Sequence, residues 1–157
     1  MAEKRLITIE NTRFIYKTNF QGDPARDTYG SDARQGNIVI PSYEQAMELM
    51  DEGFNVKQTK PREDDEDFEL EYYVSVKLNY DSPWPPKVYL VVGNNEPVLL
   101  DEDSIREVDE GRVLNVNVIL NPYENERTRT KSLYVRTMYV EQDVEADPFA
   151  ARYARRD

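Results

Sequence analysis

The chain has 157 residues, with 31 acidic and 20 basic side chains, a net charge of −11, and neither histidine nor cysteine. That length suits one domain with a real core, and the missing residue types exclude disulfides, thiol catalysis, cysteine zinc sites and any Ser–His–Asp triad. No apolar run approaches the roughly 18–20 residues of a membrane span, and residues 1–10 lack a signal-peptide core.

Residues 6–16 read as a first strand and 37–40 as a short second one. Between them, 19–35 carries Gly22, Pro24 and Gly30 among Asp23, Asp27 and Asp32. It reads as a long, polar, mobile loop. Ser42 followed by Gln45 forms a capping box, and Tyr43, Ala46, Met47 and Met50 make a core-facing stripe at helical spacing. Gly53 supplies the stop. Glu63 to Asp67, then Glu69 and Glu71, form a like-charge run that repels itself and reads as a solvated loop.

Residues 71–80 alternate strictly, with Tyr72, Val74, Val76, Leu78 and Tyr80 on one side and Tyr73 and Lys77 on the other. Period two over ten residues marks a strand with one buried face. A proline-stiffened connection follows at 81–87. In it Trp84, between Pro83 and Pro85, is expected to be a hydrophobic lid on the barrel end, the alternative being an exposed stacking residue. Residues 87–92 form another strand, with Val88, Leu90 and Val92 on one side. A short helix follows Ser104, with Glu107 completing a second capping box and Gly111 ending it. Residues 112–120 place Leu114, Val116, Val118 and Leu120 inward and Asn115 and Asn117 outward. A polar loop bearing Arg127, Arg129 and Lys131 leads to a last strand at 133–140.

The elements specify a mainly β chain with a small α component. Short connections predict antiparallel hairpins. The expected architecture is an OB-like antiparallel barrel of five to six strands with an inserted helix, covering 1–145. Residues 146–157 form a tail or short helix. An OB-fold usually carries its helix between the third and fourth strands, whereas the main helix here follows the second.

Charge and aromatic placement bear on function. Net −11 argues at first against nucleic acid, whose phosphates repel a negative surface. Yet residues 63–110 alone carry −12, while 111–140 carry +3. Binding depends on the local field at a groove, not on the total. Aromatic residues alternate with cations in three places: Arg13, Phe14, Tyr16 and Lys17; Tyr73 and Lys77; Tyr134 and Arg136. Rings that stack bases beside cations that track phosphates suit single-stranded nucleic acid. Catalysis has little support. The acidic pairs are sequence neighbours in loops, and neither GxxxxGK[ST] nor GxGxxG is present. No cofactor, metal site or membrane contact is expected. Two readings compete with nucleic-acid binding. One is a structural virion or interaction protein whose acidic section mimics DNA; the other is a carboxylate metalloenzyme.

Particular segments carry a family likeness. They are ITIENTRFIYKTNF, DEGFNVKQTKPRED, YYVSVKLNYDSPWPPKVYLV, LLDEDSI, VNVILNPYE, SLYVRTMYVEQ and DPFAARY. Across residues 7–153 the chain resembles a family of small phage-encoded single-stranded DNA-binding proteins. The resemblance implies an OB-type barrel, without cofactor, that coats single strands during phage replication or recombination in the host cytoplasm. It favours Phe14, Tyr16, Lys57, Lys60, Arg62, Tyr73 and Lys77 as contacts. Replication or recombination proteins would dock on the acidic section or the tail, and self-association would be natural. The tail is similar to the acidic, phenylalanine-ended tails of bacterial single-strand binders, but Phe149 is followed by AARYARRD and is not terminal.

Overall fold

The computed structural model describes residues 6–26, 30, 32–59, 70–93 and 95–142. Its elements are β1 (Ile7–Thr12), β2 (Phe14–Asn19), a 3-10 turn (Pro24–Arg26), β3 (Gln35–Ile40), α1 (Tyr43–Asp51), β4 (Lys57–Gln58), β5 (Tyr72–Lys77), β6 (Lys87–Val92), β7 (Val98–Leu100), α2 (Arg106–Glu110), β8 (Val113–Glu124) and β9 (Lys131–Gln142).

Strand pairing closes into a ring. β1 pairs with β8, β8 with β9, β9 with β5, β5 with β3 and β3 with β2. β1 and β2 are one strand broken at Arg13, where Asn11 has a positive φ of 52°. The Arg13 carbonyl still accepts the Val39 amide proton at 3.0 Å, so the bend holds to β3. The first strand expected at 6–16 is therefore two arms of a bent strand, one for each neighbour. This is the closure of a five-membered OB-like barrel.

The interior follows the alternation. Ile9, Ile38, Val74, Val76, Val88, Val116, Val118, Leu120 and Met138 are buried, with Phe20 closing one end. Each such side chain contributes about 1.5–3 kcal/mol by leaving water. Gly36 is required there, since a Cβ on it would stand 2.7 Å from the Phe20 ring.

Several expectations need correction. Pairing is not wholly antiparallel: β9 runs parallel to β5 and to β6. The long excursion through β6, β7, α2 and β8 brings the chain back to the barrel in the same direction as β5. β4 and β7 are short strands without legible alternation. Leu114 points outward at 57% exposure, because the β8–β9 register shifts between Val113 and Asn115. On α1, Ala46 and Leu49 are the buried positions, while Tyr43 is exposed and meets Tyr72.

The capping boxes are also incomplete. Ser42 Oγ accepts the Gln45 amide proton, but the Gln45 side chain donates to the Thr8 carbonyl instead of turning back. Ser104 does not cap α2. Its hydroxyl donates to Asp101 Oδ1, which also accepts the Ser104 and Asp103 amides. These bonds to Ser104 and Asp103 hold the Asp101 carboxyl below its ordinary range.

The described parts of 19–35 make specific hydrogen bonds to the barrel and α2. Asp109 on α2 accepts from Thr18 Oγ1 and the Phe20 amide through Oδ1, and from the Gln21 amide through Oδ2. Arg26 donates to the Thr18 and Asp109 carbonyls, and Arg34 to those of Phe20 and Glu102. α2 thus plugs the barrel between its third and fourth ring strands, the usual place for an OB helix.

Candidate nucleic-acid interface

Register determines which outward side chains are neighbours. Directly paired residues present their side chains on the same face of a sheet. Across β3 and β5, Val39 lies opposite Tyr73, Asn37 opposite Ser75 and Gln35 opposite Lys77. The other edge of β5 is shared. β4 sets Lys57 beside Tyr73, and β9 sets Tyr134 beside Lys77. One outer face therefore runs from Tyr73 and Lys57 through Asn37 and Ser75 to Lys77 and Tyr134. Its length along β5 is about 13 Å at roughly 3.3 Å per residue.

Tyr16 reaches this face through an irregular backbone. The β2–β3 register shifts between Ile15 and Asn19, and Tyr16 takes a left-handed φ of 64°. A bulge of this kind re-aims a side chain. The ring is 61% exposed and meets Tyr73 edge-on, with centroids 5.4 Å apart and planes at 77°. Burial, then the neighbouring Tyr16 phenol, push the Tyr73 phenol above its ordinary value. The Tyr73 ring therefore stays neutral at physiological pH, as a stacking platform should. At the other end Tyr134 meets Tyr123 edge-on at 6.1 Å.

The remaining predicted residues fall in different places. Arg13 is ion-paired to Glu71, which offsets its charge locally. Phe14 turns inward and packs on Phe20 at 5.3 Å, so its ring belongs to the core margin. Lys17 is exposed near the end of β2, and Arg136 is exposed on β9 beyond Tyr134. Lys60 and Arg62 lie outside the described residues, as do 63–69 of the acidic run and the 146–157 tail. In the basic loop, Lys131 is engaged with the Glu52 carbonyl and stands over the Phe54 ring, while Arg127 and Arg129 are exposed.

Trp84 requires a correction. It is not a lid: it is 88% exposed. Its neighbour Pro86 takes the buried position. Proline on both sides was a legible signal of stiffness, but not of direction. Tyr123 was missed because its segment reads as a polar loop, whereas β8 continues through it to Glu124.

A family model described as "Putative phage ssDNA-binding domain" matches residues 2–156. No curated protein sequence matches the chain. Among solved structures, the chain is similar to the single-stranded DNA-binding protein from bacteriophage Enc34, at 18% identity over 88% of this chain and 81% of that one, with a TM-score of 0.48. The C-terminal truncation of that protein gives 14% identity over 88% and 86%, with a TM-score of 0.50. The latter likeness bears on the fold alone.

Proposed function

We propose that this chain, which belongs to the phage single-stranded DNA-binding domain family, is a non-catalytic, sequence-tolerant coat for single strands in phage replication or recombination, working inside the host cell. The observation that carries the binding face is the Tyr16–Tyr73 pair. An exposed tyrosine held in a left-handed conformation costs about 1–2 kcal/mol, and such outliers cluster at functional sites. Here the outlier presents a ring beside Tyr73, with Lys57 the register partner of Tyr73 and Lys77 further along β5.

Bases stack on Tyr16, Tyr73 and Tyr134, and phosphates follow Lys57, Lys77 and the exposed arginines. The face offers rings and amides rather than a fixed set of base-edge donors and acceptors, hence tolerance of sequence. The acidic section limits non-specific attachment or recruits replication and recombination proteins.

Titration with oligo-dT decides the matter. Polarisation of a labelled strand should rise with protein at low salt, and tyrosine emission should fall. No binding to a strand of about 30 nucleotides, long enough for more than one OB-type site, would sink the proposal.

A further inference from the structure

A second cleft lies where β9 changes partner. β9 pairs with β5 at Tyr134 and with β6 from Thr137 onward. β9 thus leaves β5 for β6 at this point, and residues 78–86 connect the two strands. The cleft has a volume of about 1310 Å³. It is lined by Tyr123 of β8, Tyr134 and Arg136 of β9, Trp84 and Pro85 of the connection, Lys87 of β6 and Asp101 after β7.

Three features of this cleft point to a ligand with flat, polar-edged rings. The first is Trp84, whose large apolar ring is left almost wholly in solvent. Such exposure is uncommon for tryptophan. The backbone that carries the ring is restrained, with Pro83 and Pro85 on either side and the Trp84 amide donating to Ser82 Oγ at 3.1 Å. The second is the Tyr123–Tyr134 pair in the same lining. The third is Tyr80, whose hydroxyl is buried at the lining without a hydrogen-bond partner among the described residues. Charge is divided as well. Arg136 on β9 and Lys87, the register partner of Thr137 on β9, offer cations to phosphates, while Asp101 and Glu102 after β7 repel them. A strand entering here would keep its backbone toward β9 and its bases toward Trp84.

The cleft is continuous with the face already described, because Tyr134 is both the register partner of Lys77 and part of the cleft wall. We infer that this cleft is a second base-stacking subsite, in which Trp84 stacks a nucleobase of the single strand that leaves the Tyr16–Tyr73–Lys77 face. The inference rests on the proposed function and extends it to a segment outside the barrel ring.

The test uses the full chain and its single tryptophan, so tryptophan emission reports this cleft alone. Labelled oligo-dT is titrated while polarisation and Trp84 emission are recorded together. Trp84 emission should be quenched in step with binding. Trp84→Ala should weaken binding about tenfold, the value of one stacked base, and Trp84→Phe should retain most of the affinity. The side chain is exposed, so neither variant should fail to fold. Wild-type affinity in Trp84→Ala overturns the subsite, whatever the emission does, provided that Tyr73→Ala still weakens binding. Absence of oligo-dT binding by the wild type overturns the proposed function itself.

Discussion

Tyr16 and Tyr73 come from distant parts of the chain and meet edge-on, 5.4 Å between centroids, because a left-handed residue on β2 turns one ring toward the other. Strain and presentation are the same feature. Replacing Tyr16 with glycine should separate them. Tyr16→Gly loses the ring but relaxes the backbone, whereas Tyr16→Ala loses the ring and keeps a Cβ at positive φ. Both should bind oligo-dT more weakly, by about tenfold. Thermal melts should place the glycine variant about 1 kcal/mol above the alanine variant. An alanine variant as stable as the glycine one would mean that the backbone is not strained.

Tyr73 lies on the outer face of β5, between Tyr16 and Lys57. Tyr73→Ala should therefore cost about 1–3 kcal/mol in strand binding. Its loss in folding stability should stay near the 0.5–1.5 kcal/mol of one aromatic pair. Circular dichroism melts and polarisation titrations measure the two effects separately. Unfolding of this variant would reassign the ring to the core.

Salt dependence counts the phosphate contacts. For single strands each contact contributes about 0.7 to the slope of log affinity against log salt. Lys57→Ala and Lys77→Ala should each lower the slope by about that amount. Arg13→Ala should change it less, because Glu71 already pairs with that guanidinium. Titrations across a salt series test this directly.

Asp109 accepts three protons from the end of β2 and the residues just after it. Hydrogen bonds to a charged group contribute about 1.5–3 kcal/mol each, and lost partners leave unsatisfied amides. Asp109→Ala should lower unfolding free energy by about 2–4 kcal/mol. Denaturant titration gives the value. A neutral outcome would mean that water replaces the carboxylate without loss.

Burial pushes the Tyr80 phenol up to about 12, Arg34 opposing and the Asp101 and Glu102 carboxylates adding to the rise. The folded state then keeps its proton where the unfolded state, near 10, gives it up. The unfolded state binds fewer protons in that window, so stability is full below pH 10 and falls as pH rises toward 12. Tyr80→Phe should flatten this decline. Melting temperatures measured between pH 8 and pH 12, roughly spanning both values, give the comparison.

Much of the architecture was legible from local pattern. Strict alternation at 71–80 placed Val74 and Val76 inside and Tyr73 and Lys77 outside, because side-chain period is a property of the strand itself. It failed at Leu114, where a register shift is a property of the β8–β9 pair and leaves no mark on either strand alone. The helix starting at Ser42 was similarly legible, while the fate of the Gln45 side chain depended on a carbonyl of β1.

By itself, then, the sequence determined a mainly β barrel and the face of β5 that carries ring and cation. It also concentrated the negative charge in one section. Composition and short-range periodicity suffice for these. Only the tertiary structure decided that Tyr16 joins Tyr73, that Phe14 turns inward, that Arg13 pairs with Glu71 and that Trp84 stands in solvent. Each depends on where a bulge, a ring closure or a change of strand partner directs a side chain. Those directions are decided between segments far apart in sequence, by the geometry that lets the barrel close.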